Sequence, residues 1–270
     1  TAVRGQQLNV GVQVEGGNDN AVLDNQIANA GTGVWVYGSA SPANPRVISG
    51  NRIGIGTSNT NPLPVNEGIL LDASTSSVNV SGNAVVGHAG NSFGIRLVQT
   101  GGLISVTGNR IGFGADDFPS YPGRVGGGIV LNGATSSPTV NNNQIFGGSG
   151  TGLVVNAFSN IMSGGASGNV ISGNGGAGIS VSGGSLARFQ IGGNQIFDNA
   201  GLGIDVAPAG VNSVPDGGPT IDSITPGPAG SNSVTMTYAG PSNSAGAVMN
   251  IFLSRNDGCD PSGFGEGAVQ

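Results

Sequence analysis

Lysine is absent from this chain; all eight basic residues are arginine. That removes a Walker lysine and any Schiff-base amine, so the Gly-rich segments read as turns and not as phosphate loops. A single cysteine, Cys259, forbids an internal disulfide, and cysteine usage therefore does not fix the compartment. One Cys and one His, His88, exclude a conventional Cys/His zinc site. Charged residues make up only 8% and the formal net charge is −6, which opposes a nucleic-acid role because phosphate neutralisation needs a basic stripe. No apolar run reaches membrane-spanning length and no signal peptide is visible. The chain opens mid-pattern at Thr1, which leaves room for a leader that was removed or lies outside this stretch.

Glycine, in contrast, fills 53 of the 270 positions. Such richness with little charge is one signature of disorder. Here 37% apolar residues and a strict repeat predict a packed, turn-rich β protein instead. The scarcity of charge and the wealth of Gly, Asn, Ser and Thr point to an exported, extracellular or cell-surface protein.

The repeat is plainest in Gly168–Val206, where Asn169-Val-Ile171 returns as Asn194-Gln-Ile196 and Gly178-Ile-Ser-Val181 as Gly203-Ile-Asp-Val206, both after 25 residues. A fixed period of this size indicates a solenoid. The Asn can be followed upstream through Asn25, Asn51, Asn83, Asn109 and Asn143, with steps of 25 to 34 residues along the whole series. A Gly-apolar-x-apolar element follows each Asn, at Gly33, Gly68, Gly94, Gly128, Gly152, Gly178 and Gly203. Seven coils are readable, preceded by a degenerate one around Leu8–Val14.

Three ladders of apolar residues align between coils. One precedes the Asn (Val22, Ile48, Val80, Val106, Val140, Ala166, Ile191), one follows it (Ile27, Ile53, Val85, Ile111, Ile145, Ile171, Ile196), and pairs such as Val34/Val36 and Ile95/Leu97 follow the Gly. The i, i+2 spacing within the pairs is strand periodicity. Short strands that recur at a fixed period predict an all-β, single-stranded parallel β-helix over residues 1–206, with three strands per turn. Each strand would pair with its counterpart one coil on, at a rise of about 4.8 Å. The Asn ladder is expected to bond from coil to coil through its amides. The residue before it is expected in left-handed geometry, as Gly in five coils and as Asp24 or Asn142 in two.

The repeated GNxIxG and GIxL pattern resembles the right-handed parallel β-helix repeat proteins of bacteria, over about residues 8–206. That superfamily includes pectate lyases, polygalacturonases, alginate epimerases, phage tailspikes and many large surface proteins. The resemblance implies architecture more than activity. In its polysaccharide enzymes the sugar lies along the outside of the coils; lyases use an Arg or Lys base, commonly with Ca²⁺ on acidic residues.

Two coils carry insertions between the Asn strand and the Gly strand, Gly54–Glu67 and Gly112–Gly127. Insertions at one phase of a solenoid emerge on one face, often the binding face. Their roots should lie about 10 Å apart, two stacking rises. A notch between them would hold His88 and Arg96, with Glu67, Asp116, Asp117, Tyr121 and Arg124 from the loops; the alternative is ordinary solvated surface. The outward row through Arg96 reads Trp35, Leu70, Arg96, Val130, Val154, Ser180 and Asp205, and supplies no carboxylate cluster on neighbouring coils. Its apolar members suggest an interface or a face covered by the loops. Gly90-Asn-Ser92-Phe-Gly94 matches G-x-S-x-G, but no helix follows as a nucleophile elbow needs.

No cofactor is expected. Ca²⁺ is the one candidate, at Asn256, Asp257, Asp260 and Glu266 or near Asp205 and Asp216, without EF-hand spacing.

After a Pro/Gly/Asn linker at 207–219, residues 220–270 read as strands Thr220–Thr225, Ser233–Tyr238 and Ala247–Ser254. The closing IFLSRNDGCDPSGFGEG, with GLGIDVAPAGV, resembles the segment of large bacterial secreted repeat proteins in which a small β-sandwich follows. Three strands are too few to close a sandwich, which suggests a fragment or strands supplied by a partner. The expected function is a structural or adhesive surface protein that contacts glycans or other copies of itself, even as a filament. The rival is a polysaccharide lyase, hydrolase or epimerase acting in the notch.

Overall fold

A computed structural model describes residues 8–55, 63, 65–72, 75, 77–86, 93–98, 101–112, 126–133, 137–157, 163–183, 188–206, 220–226 and 234–239. Three parallel sheets run the length of the solenoid. The first has eight strands, Leu8–Glu15, Ala30–Tyr37, Glu67–Leu71, Phe93–Val98, Gly127–Asn132, Leu153–Ala157, Ile179–Gly183 and Ile204–Val206. The second has seven, from Ala21–Leu23 to Arg188–Gly192, and the third has seven, from Gln26–Ile27 to Gln195–Phe197. Every strand pairs with its equivalent one coil away, as Ile95 does with Ile69 and Ile129, and Val106 with Val80 and Val140. The expected β-helix is therefore present, and the degenerate opening coil is the first strand of the first sheet.

Burial follows the apolar ladders. Ile53, Val85 and Ile111 of the third sheet, Ile48, Val80 and Val106 of the second, and Ile69, Leu71, Ile95 and Leu97 of the first form one continuous core. β-Branched residues suit it because each is buried among equivalents above and below on a pleated parallel sheet.

Two sequence features close the corner between second and third sheets. Asp24, Gly50, Gly82, Gly108, Asn142, Gly168 and Gly193 all have positive φ, between 55° and 69°. The Asn after each then stacks. From Asn51 to Asn194 these residues are fully buried, and the amide of Asn51 donates to Asn83 Oδ1 at 2.9 Å, Asn83 to Asn109 at 2.9 Å and Asn169 to Asn194 at 2.8 Å. Each interior Asn also donates to a carbonyl of the preceding coil, as Asn109 does to Val80 O at 2.9 Å. Repetition thus satisfies a buried polar side chain that would be costly alone.

The glycines that open the first-sheet strands have a different cause. A Cβ on Gly33 would lie 2.5 Å from Ile53 Cγ2 and 2.6 Å from Gly68 O. The same pair of neighbours, the next coil's third-sheet residue and the next glycine's carbonyl, confronts Gly68, Gly94, Gly128, Gly152 and Gly178. These positions are glycine because nothing larger fits between stacked coils.

The corner between third and first sheets is where coils differ. In the plain C-terminal coils a second ladder closes it: Asn174 donates to Asn199 Oδ1 at 2.8 Å, after Gly173 and Asp198 at positive φ. In two coils the insertions leave from this corner at Gly54 and Gly112, also at positive φ. The first loop closes its base through Leu63 N–H to Gly54 O at 3.1 Å.

Beyond the solenoid, Thr220–Pro226 and Val234–Ala239 pair antiparallel. These match two of the three expected strands. The third, the linker 207–219 and the Cys259 region lie outside the described residues.

Candidate functional site

The outward side chains of the first sheet carry the densest chemistry among the described residues. One outward row runs Gln13, Trp35, Leu70, Arg96, Val130, Val154, Ser180 and Asp205 in register. Arg96 alternates with buried Ile95 and Leu97, so its side chain faces out as expected and is 38% exposed. It donates through Nη1 to Glu67 Oε1 at 2.7 Å. Glu67 stands at the end of the first insertion, so the ion pair ties that loop's exit to the coil between the two insertions. Of the row's apolar members Val130 is only 3% exposed and Trp35, Leu70 and Val154 are half-buried, so at Val130 the covered face, and not the open one, is the expectation that fits.

Trp35 is half-buried and packs against Tyr37, ring centroids 5.1 Å apart and tilted by 38°. The Trp35 indole N–H is buried without a hydrogen-bond partner. Gln13 Nε2 donates to the Tyr37 hydroxyl at 3.0 Å. Tyr37 in turn bonds Glu15, its neighbour in register, and this contact is the main cause that raises the phenol above its ordinary value of 10.0. Desolvation adds to the rise, and the Gln13 bond opposes it.

This exposes a second outward row, two residues along each strand, which the sequence reading passed over. It runs Glu15, Tyr37 and then Asp72, whose amide donates to Val36 O at 2.9 Å, placing it beside Tyr37 one coil on. Two carboxylates therefore flank a tyrosine on successive coils, and the conclusion that neighbouring coils lack acidic residues holds only for the first row. The signal was available in the i, i+2 alternation, since Gln13/Glu15, Trp35/Tyr37 and Leu70/Asp72 are equivalent pairs.

Of the residues expected in the notch, the structure joins Glu67 to Arg96; Trp35, expected in the outward row, stands two coils from Arg96 in that row. His88, Asp116, Asp117, Tyr121 and Arg124 lie outside the described residues, as do Asp216, Asn256, Asp257, Asp260 and Glu266 of the calcium expectation. Among the described residues no group of three or more His, Cys, Asp or Glu is gathered to hold a metal, and Asp205 stands apart.

Two family models match the chain. One, described as right handed beta helix region, covers residues 104–214. The other, described as periplasmic copper-binding protein (NosD), covers residues 1–113. No curated protein and no solved structure matches. A periplasmic protein as a match is compatible with the exported character expected from composition. Copper, however, does not fit the residues present. Copper sites draw on imidazole and on soft thiolate or thioether donors. The stretch matched to that model holds one histidine, His88, with no cysteine and no methionine. The stacked parallel sheets, with a match to the right handed beta helix region over residues 104–214, lead to one conclusion: the chain folds as a parallel β-helix of repeated coils.

Proposed function

We propose that this β-helix is an exported adhesive scaffold that binds a polysaccharide along the outer face of its first sheet. The observation that carries the reading is the Trp35–Tyr37 pair, an aromatic platform on a rigid sheet. Such rings offer a flat apolar face with a polar rim. Gln13, Glu15, Asp72 and the Glu67–Arg96 pair surround it with groups able to orient sugar hydroxyls. Sites of this kind combine aromatic area with a few placed polar groups.

The test is affinity electrophoresis of the full chain through neutral and uronic-acid polysaccharides. Retardation by at least one of them is expected. Trp35→Ala should weaken it about tenfold, in line with the 0.5–1.5 kcal/mol of an aromatic contact plus its buried area. No retardation on any polymer, or retardation unchanged in a Trp35→Ala, Arg96→Ala double variant, refutes the proposal.

A second reading, a polysaccharide hydrolase, is favoured by Glu15 and Asp72 on either side of Tyr37. Two stacking rises set them roughly 10 Å apart, near the upper limit for an inverting pair of carboxylates. Turnover of the retained polymer that is lost in Glu15→Gln and in Asp72→Asn would decide for the enzyme.

A further inference from the structure

The surroundings of the aromatic platform carry charge of one sign. Trp35 and Tyr37 lie on one strand, with Glu15 beside Tyr37 on the coil before and Asp72 beside it on the coil after. Among the described residues, the outer face of the first sheet presents the carboxylates Glu15, Glu67, Asp72 and Asp205 and one cation, Arg96. Arg96 is held to Glu67 at 2.7 Å, which offsets its charge, and it stands two coils from Trp35. The face around the two rings is therefore net negative.

The rings act in the same direction. The face of an aromatic ring is the negative end of its quadrupole and attracts a cation within about 6 Å of the centroid. Trp35 and Tyr37, 5.1 Å apart, place two such rings side by side. Tyr37 stays a neutral phenol at physiological pH, because its bond to Glu15 raises its titration above 10.0. That bond occupies one acceptor position of Glu15, and an ionised carboxylate offers about four. Glu15 is exposed, so the others face the ligand side. A polyuronate would bring like charge against Glu15 and Asp72. A neutral polymer would use ring area and hydroxyl contacts alone. A protonated amine on the stacked sugar would use the rings and both carboxylates together.

We propose that the polymer held on the Trp35–Tyr37 platform is an amino-sugar polysaccharide with free, protonated amines, recognised by the two rings and by Glu15 and Asp72 on either side. This inference rests on the polysaccharide reading and narrows it to one substrate class. Neutral sugars remain weaker ligands of the same platform.

The full chain is titrated calorimetrically with three probes: a glucosamine hexamer, its fully N-acetylated counterpart and a galacturonate hexamer. A mildly acidic buffer keeps the amines protonated. The glucosamine hexamer should bind about tenfold more tightly than the acetylated one, the combined effect of a cation–π contact and exposed charge pairs. The galacturonate hexamer should bind most weakly. The preference for the amine should shrink in 1 M salt. In Glu15→Gln, Asp72→Asn it should fall to about twofold or less, while the acetylated hexamer still binds and so reports an intact platform. Asp24→Asn, Asp198→Asn removes the same charge from exposed turns away from the first sheet, at positive φ that asparagine tolerates, and should keep the full preference. Acetylated or galacturonate hexamer binding as tightly as glucosamine hexamer overturns this inference and leaves the polysaccharide reading standing. An equal loss of preference in both double variants also overturns it, since net charge alone would then be at work. Binding of none of the three hexamers overturns both.

Discussion

Asn83 donates its side-chain amide to Asn109 Oδ1 at 2.9 Å, and the backbone N–H of Asn83 donates to the same oxygen at 3.0 Å. One oxygen therefore serves two buried donors of the coil before it. Asn109→Ala would orphan both, and would also remove the donor to Val80 O. Buried groups left unpaired cost about 1–3 kcal/mol each, less what relaxation recovers. A loss of about 2–4 kcal/mol is expected from urea denaturation. Asn25→Ala, at the exposed end of the ladder, should lose about 1 kcal/mol or less. Equal losses at the two positions would contradict the ladder's role.

The two glycine series predict different penalties for the same change. Gly82 has φ 62° with nothing within 4 Å of its added Cβ, so Gly82→Ala meets only left-handed strain, about 1–2 kcal/mol. Gly33→Ala meets Ile53 Cγ2 and the carbonyl of Gly68. Overpacking of this kind costs about 1–3 kcal/mol, and more where backbone is the obstacle. Chemical denaturation should rank Gly33→Ala as the more damaging. Ile53→Ala should not rescue it, because the Gly68 carbonyl remains.

That contrast bears on what the sequence could reveal. Repetition made the fold legible: seven Asn, seven positive-φ residues before them and three apolar ladders all recur, and even Asp24 and Asn142 take the geometry that their side chains tolerate. What repeats only briefly was missed. Asn174 and Asn199 form a ladder in just two coils, too few to stand out from a chain rich in Asn. Arg46 was invisible as a core residue because its column continues as Val78 and Ile104; only the neighbouring glycines explain why a guanidinium fits. At the candidate site, Arg96 and Trp35 were readable from alternation. The Arg96–Glu67 contact depends on where an insertion ends, which spacing does not specify. Glu15 and Asp72 were overlooked because one outward row was followed and its neighbour was not.

The Arg96–Glu67 ion pair orients groups and contributes little stability. Arg96 is 38% exposed, and pairs in water are worth about 0.2–1 kcal/mol. A double-mutant cycle with Arg96→Gln and Glu67→Gln should return a coupling in that range, shrinking in 1 M salt as screening predicts. A coupling above about 2 kcal/mol would mean the pair is buried by the inserted loops to a degree its exposure does not suggest.

Tyr37 supplies a pH signature for the outer face. Its phenol is raised from 10.0 chiefly by the bond to Glu15. A raised folded-state value means that the folded chain binds the proton more tightly than the unfolded chain does. The stabilisation is therefore fully present below pH 10 and is lost as the pH rises through the folded-state titration. Ultraviolet difference titration of the native chain against Tyr37→Phe isolates this phenol from Tyr121 and Tyr238. Glu15→Gln should bring its midpoint down towards 10, because the neutral amide no longer accepts as a carboxylate does. Removing Gln13, which donates to the hydroxyl at 3.0 Å, should move the midpoint further up. Opposite shifts from two neighbours on one strand would establish that the Glu15–Tyr37–Gln13 cluster persists in solution. A phenol insensitive to both changes would show that Tyr37 faces solvent alone, and would weaken the polysaccharide platform of which it forms half.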